Sequence, residues 1–251
     1  MAKFAIVTGA SAGIGAELAK LAAAEGYDLL LAADTPFTES VGNAQTLDVD
    51  LSTFEGVDRL LEAAGGRQID LLCANAGHGL GRAFLEQDPA EWKHVVDTNI
   101  VGTAYLLQKV LPHMVARNDG KVLVTGSIAG YIPGAFQAVY NGTKAYLDSF
   151  SYALREELRE SGIIVTVLMP GPTETEFFDR ADMLDTKVGE SDSKEDPAAT
   201  ARHGWDAMKN GDGHVVSGWK NKLQAAISHI TTDSVLAKMH RSMAEPGSAK
   251  D

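Results

Sequence analysis

Apolar residues in this chain fall in short unbroken runs, and the longer stretches between them carry helical spacing. The runs lie at 3–7, 29–33, 46–49, 69–74, 121–125, 163–169 and 214–217. A strand with one wet face alternates polar and apolar residues, whereas an unbroken run is buried on both faces. Strand and helix alternating in this way predict an α/β fold, a doubly wound parallel sheet with a helical layer on each side. Such a sheet takes its ligands beyond the C-terminal ends of its strands. The helical stretches read as 13–25, 53–64, 89–115, 140–160 and one opening at 197, with Gly102 and Pro112 as candidate irregularities in the third. Ser52 or Thr53 caps the second, and Asp88-Pro89 and Asp196-Pro197 each supply a cap followed by proline at the first helical position.

Length and composition narrow the class. The 251 residues suit one domain spanning 1–251, and 45% apolar with 22% charged residues is ordinary for a folded globular chain. The net charge of −12 repels phosphate backbones, so nucleic acid is excluded as a main partner. The single cysteine, Cys73, permits no internal disulfide and suits a reducing compartment. The apolar run at 4–7 is too short for a leader or a membrane span, so a cytoplasmic protein without membrane contact is expected. None of the seven histidines has metal-binding helical spacing, and no metal is expected. Residues 173–196 hold nine acidic and three basic residues with little periodicity. They read either as a solvated loop or as a flap over the ligand crevice, and their place after Pro170-Gly171 favours the flap. The last twenty residues read as a polar tail.

The first strand runs into Thr8-Gly9-Ala10-Ser11-Ala12-Gly13-Ile14-Gly15. Glycines there let the backbone turn sharply and approach a pyrophosphate, whose charge meets the helix N-terminus. Downstream, Tyr140 and Lys144 stand one helical turn apart on one face, Ser127 follows a strand, and Asn99 lies within an earlier helix. Each alone has a plain structural explanation; together, in this order, they point to chemistry. A tyrosine hydroxyl can give up or take back a proton. Bringing a phenol near neutrality takes about 4 kcal/mol of preferential phenolate stabilisation, much of which a nearby ammonium provides.

On these residues the chain resembles the short-chain dehydrogenase/reductase family, as far as about residue 218. The resemblance rests on the glycine turn, Asp50-Leu51, Asn75-Ala76-Gly77, Asn99, Ser127, Tyr140 with Lys144, and Pro170-Gly171 with Thr175. It implies a Rossmann-type, seven-stranded sheet and a homodimeric or homotetrameric oxidoreductase. It implies Tyr140 as general acid/base, Lys144 lowering its pKa and bonding the nicotinamide ribose, Ser127 orienting the substrate oxygen, and Asn99 holding a relay water. For the cofactor it implies Gly9, Ser11, Gly13, Ile14 and Gly15 at the pyrophosphate and Asp50 with Leu51 at the adenine. Asn75, Ala76 and Gly77 line the ribose, and Pro170, Gly171, Thr173 and Thr175 hold the nicotinamide end. Asp34 ends the second strand, and a carboxylate there accepts from a ribose 2′-hydroxyl but repels a 2′-phosphate. NAD is therefore favoured, with NADP left open. An NADPH-dependent carbonyl reductase and a non-catalytic NAD(H) sensor are the competing readings.

Three departures from the family pattern stand out. Asp50 follows Asp34 by only sixteen positions, so a helix is lost or shortened there. Cys73-Ala74 stands where a second asparagine is common, and Gly126 replaces a frequent serine before Ser127. The expected substrate is a small-molecule alcohol or carbonyl compound with an apolar portion, with sugars, steroids, acyl thioesters and small alcohols all left open. Its pocket is expected from 128–139, 78–84 and the flap, with Tyr131, Ile132, Phe136, Phe177, Phe178 and Met183. His78 is expected at the mouth, and Cys73 as a buried strand residue.

Overall fold

The computed structural model describes residues 2–228 and 230–250. Its strands are β1 (Phe4–Thr8), β2 (Asp28–Ala33), β3 (Gln45–Asp48), β4 (Ile69–Ala74), β5 (Gly120–Thr125), β6 (Ile163–Met169) and β7 (His214–Val216). Its helices are α1 (Gly13–Ala24), α2 (Phe54–Ala63), α3 (Pro89–Val96), α4 (Thr103–Arg117) and α5 (Ala138–Glu157). Then come α6 (Phe177–Arg180), α7 (Lys187–Glu190), α8 (Pro197–Asn210), α9 (Trp219–Ser228) and α10 (Asp233–Ala244). The strands form one seven-stranded sheet in the order β3-β2-β1-β4-β5-β6-β7, every pair parallel. The strand order reverses between β1 and β4, which opens a crevice at their C-terminal ends.

The unbroken apolar runs are explained by the two faces of the sheet. Ile6, Leu30, Leu72 and Val122 lie side by side and pack under α2, α4 and α5 with Leu60, Leu107, Met114 and Leu147. The next row, Val7, Leu31, Cys73 and Leu123, faces the other way, against Leu18 and Ala22 of α1 and Trp205 of α8. Thr53, Asp88 and Asp196 cap α2, α3 and α8 as expected, with Pro89 and Pro197 in the first turns. No helix follows β2, so the span between Asp34 and Gln45 is irregular, as its shortness required.

The chain departs from expectation in two places, and in a third the structure decides between two readings. The helix read over 89–115, with Gly102 and Pro112 as its candidate irregularities, is broken by a π-helical segment, Asp97–Gly102, that ends at the first of them. Gly102 there comes so close to α2's approach that a Cβ would sit 1.9 Å from the Leu51 carbonyl oxygen. Pro112 by contrast stays inside α4, where it and Gln108, whose carbonyl it frees, are both exposed to water. Residues 173–196 are not a solvated loop. A bridge between Thr173 and Glu195 closes their base, and Phe178, Ala181 and Met183 are buried with Ala244. Arg82 grips Asp182 and Asp185, which accounts for part of the acidic excess. The polar tail, finally, is structured: α10 and a short turn at Ser248–Lys250 pack on α7 of the flap, with Ala244 buried among Phe178, Ala181 and Met183 and His240 bonded to the Ala135 carbonyl, while α9 before them lies against β7 and residues 128–131. Among the described residues, no helix is long and apolar enough to cross a membrane.

Candidate active site

A cavity of about 280 Å³ opens at the C-terminal ends of the strands, running from Asp34 across the glycine turn to the flap and α10. The glycine turn forms one wall. Gly9 and Gly13 have φ of 62° and 55°, a conformation costly for any other residue. A Cβ on Gly9 would come 2.9 Å from the Ala76 Cα, and one on Gly13 would strike Thr175 at 2.8 Å. Ala12 caps α1 without a side-chain hydrogen bond and the first turn holds no acid, so its N–H groups are open to an anion. Gly15 does not line the cavity; its Cβ would lie 2.0 Å from the Gly9 carbonyl oxygen, so it lets α1 close on the turn.

Neighbouring strand ends brace this turn. The Thr8 hydroxyl accepts the N–H groups of Asn75 and Ala76, both at 3.0 Å. The Asn75 amide donates to the carbonyls of Thr8 and Gly9 and accepts from the Thr125 hydroxyl. Asn75 thereby ties β1, β4 and β5 together while lining the cavity with Ala76 and Gly77. Ser11, Ile14, Asp50, Leu51, Pro170, Gly171, Thr173 and Thr175 all reach the cavity wall. Asp50 is engaged locally, accepting from the Ser52 N–H and hydroxyl at 2.8 Å each.

Asp34 has a neighbour that sequence reasoning did not foresee. His78, 44 residues away, places Nε2 2.8 Å from the Asp34 carboxylate, and that hydrogen bond holds Asp34 below the usual carboxylate range. The His94 ring packs 4.7 Å from that of His78. No helical spacing relates these three residues, yet their ligand atoms lie within 4.8 Å of one another.

The proton-handling group assembles on α5. Ser127, Tyr140 and Lys144 line the cavity together. The Lys144 ammonium donates to the Thr125 carbonyl at 2.8 Å and lies 5.8 Å from the centre of the Tyr140 ring. The Ser127 hydroxyl donates to the Pro170 carbonyl and accepts from the Ala129 N–H. Burial of the Tyr140 phenol favours its neutral form, and the Ser127 hydroxyl beside it opposes that by favouring the phenolate. Burial is the larger effect and holds the phenol above its ordinary value, so the expected lowering by Lys144 is not met by the chain alone. Burial likewise pushes Lys144 down to about 8. Asn99, fully buried, stands one layer behind the wall: it accepts from the His78 N–H and donates to the His78 carbonyl and the Thr143 hydroxyl.

The apolar end of the cavity is partly as expected. Ile132, Phe177 and Phe178 line it, whereas Tyr131, Phe136 and Met183 pack behind. Gln224, His240, Met243 and Ala244 from the C-terminal helices complete it, none of them expected from sequence. The only sequence signal for α10 is the four-residue spacing of Leu236, His240 and Ala244. Asp148 was also missed, although it stands one turn beyond Lys144 on the same helix. Cys73 is buried and its thiol is pushed up to about 12, an inert strand residue.

Comparison with known proteins gives concordant matches. A family model described as short chain dehydrogenase matches residues 3–183. An uncharacterized oxidoreductase of Staphylococcus saprophyticus is 34% identical over 185 residues, covering 69% of this chain and 79% of that protein. The structure of a short-chain dehydrogenase from Sphingobium yanoikuyae in complex with NADPH shares the fold. Its TM-score is 0.79 at 24% identity, over 91% of this chain and 94% of that one. A 3-ketoacyl-(acyl-carrier-protein) reductase from Brucella melitensis complexed with NADH gives 0.74 at 25% identity, over 86% of this chain and 97% of that one.

Proposed function

The chain belongs to the short-chain dehydrogenase family, and from that premise we propose that it is an oxidoreductase moving hydride between a nicotinamide dinucleotide and an alcohol or carbonyl compound. The observation that carries this reading is one continuous cavity holding the glycine turn at one end and Ser127, Tyr140 and Lys144 at the other. The residues fit a dinucleotide. The close approach of Gly9 to Ala76 leaves room that a Cβ would fill, and the open N–H groups of α1 suit a pyrophosphate.

The bound dinucleotide supplies the hydride; the chain's own residues manage the oxygen. In reduction, the Ser127 hydroxyl orients the carbonyl oxygen and the Tyr140 phenol gives it a proton; in oxidation, Tyr140 takes one back. The Lys144 ammonium favours the phenolate left behind and has protons to spare, beyond its bond to Thr125, for the nicotinamide ribose. Asn99 would hold the relay water from its place behind Gly77 and Lys144. Ile132, Phe177, Phe178 and Met243 give the substrate end an apolar character, interrupted by Gln137, Gln224 and His240. A carbonyl or alcohol with an apolar body suits it. The cytoplasmic reading rests on composition, and the homo-oligomer reading on exposed Val115 of α4 with Tyr146 and Tyr152 of α5.

NADH is favoured over NADPH. A 2′-phosphate about 4 Å from the Asp34 carboxylate carries a repulsion of about 4 kcal/mol per charge pair before screening. His78 and the ribose hydroxyl compete for that same carboxylate. Thermal denaturation with each cofactor tests this. At a hundredfold excess over the dissociation constant, binding adds about 2.7 kcal/mol, roughly 5–11 °C for a chain of this size. The larger shift is expected with NADH, and Asp34→Ala should narrow the gap between the two cofactors. A larger shift with NADPH on the native protein would refute the role given to Asp34, and none with either would undercut the oxidoreductase reading.

A further inference from the structure

Asp148 lies on α5 one turn beyond Lys144 and two beyond Tyr140, on the same face of the helix. It is 4% exposed and does not reach the cavity wall. Its Oδ1 accepts the Ser127 N–H at 3.3 Å, and its Oδ2 is buried without a hydrogen-bond partner among the described residues. A buried carboxylate oxygen left unpartnered is costly. Space for it is nevertheless reserved on two sides by glycine. A Cβ at Gly126 would lie 1.9 Å from Oδ1, and one at Gly130 would lie 2.3 Å from Oδ2.

The titratable groups facing Asp148 are Lys144 and three tyrosines, Tyr140, Tyr131 and Tyr152. Burial pushes Asp148 up to about 7 and Lys144 down to about 8, and the charge of each opposes the shift of the other. The carboxylate favours Lys144 as an ammonium, and an ammonium is what stabilises a phenolate at Tyr140.

Resting on the oxidoreductase reading above, we propose that Asp148 is a positioning residue: its buried carboxylate fixes the Ser127 backbone from behind and stands as the counter-charge of Lys144, in a recess that Gly126 and Gly130 keep open. It touches neither substrate nor cofactor and acts through Ser127 and Lys144.

Two measurements test this. The first is a double-mutant cycle in melting temperature. Gly126→Ser alone should lower Tm by about 5 °C through overpacking against the carboxylate. In an Asp148→Ala background the same serine should cost less than half as much. The second uses Asp148→Asn, which keeps an acceptor for the Ser127 N–H but loses the charge. With a ketone that the native enzyme reduces, the alkaline limb of kcat against pH should move about one unit lower, because Lys144 gives up its proton sooner. KM and the cofactor dissociation constant should stay near native. Additive Tm losses, or an unchanged pH profile in Asp148→Asn, would overturn the proposal. Absence of turnover by the native enzyme would instead sink the oxidoreductase reading and the positioning role with it, and intact coupling to Gly126 would then mark Asp148 as a structural anchor.

Discussion

Replacing Tyr140 with phenylalanine should lower carbonyl reduction by about a thousandfold while leaving cofactor binding close to native. General acid–base groups contribute about 10²–10⁴ to such steps. The phenol stands beside Ser127 on the cavity wall, one turn from the Lys144 ammonium. The substitution removes one oxygen and keeps the ring, so the packing of residue 140 against Phe177, 5.1 Å between ring centres, is retained. Ser127 loses the phenol beside it, at a cost of about 1 kcal/mol, but it keeps its bonds to Pro170 and Ala129. Fold and nucleotide site should therefore survive, and kcat should carry the loss. The check is steady-state turnover paired with a cofactor titration on the same preparation. Turnover comparable to native in Tyr140→Phe would remove the tyrosine from the chemistry. Unchanged cofactor binding with no turnover in the native protein would favour an NAD(H) sensor.

The second large effect is expected at Gly15. Its backbone is ordinary helix, so the need for glycine comes from proximity and not from φ. An alanine Cβ would stand 2.0 Å from the Gly9 carbonyl oxygen and 2.5 Å from the Asn75 amide nitrogen. The first of these is backbone and cannot swing away, so α1 must back off from the turn. Overpacking of this kind costs about 1–3 kcal/mol, which is roughly 2–12 °C in Tm for a chain of this length. The same displacement spoils the N–H cradle, so cofactor affinity should fall by about tenfold to a hundredfold. Gly142 provides the control. It lies inside the Tyr-Asn-Gly-Thr-Lys stretch, but nothing stands within 4 Å of its Cβ position. Gly142→Ala should be neutral or gain about 0.5–1 kcal/mol, as expected for glycine replaced inside a helix. Calorimetry of the two variants with and without cofactor separates them. Equal behaviour would show that the close approach at Gly15 carries no weight.

What could be read from the sequence was what is encoded locally. The glycine turn and the spacing of Tyr140 and Lys144 span a few residues each, and the fold places both where their spacing indicates. The strands were legible because each is buried on two faces, which leaves an unbroken apolar signature. Features made by distant residues were not legible. The π segment at Asp97–Gly102 ends at a glycine that the sequence marks, but the close approach of Gly102 to the Leu51 carbonyl is not local, and Pro112, marked in the same way, stays within α4. His78 and Asp34 meet across 44 residues with no periodicity to announce it. The helices α9 and α10 bury only narrow faces, and their remaining apolar residues, such as Trp219, Leu223 and Met239, are exposed. A stripe that thin is hard to separate from a polar tail. Asp148 was obscured for a different reason: an acidic residue on a helix reads as solvated unless the chain packed against it is known.

The most direct test of hydride transfer with Tyr140 as proton donor uses NADH carrying deuterium on the transferring carbon, incubated with the purified protein and a panel of apolar ketones. The product alcohol is then examined by mass spectrometry. The expected result is one deuterium on the carbinol carbon in the native protein and almost no product with Tyr140→Phe. Native protein that binds NADH yet yields no labelled alcohol, or equal labelling by Tyr140→Phe, would contradict it.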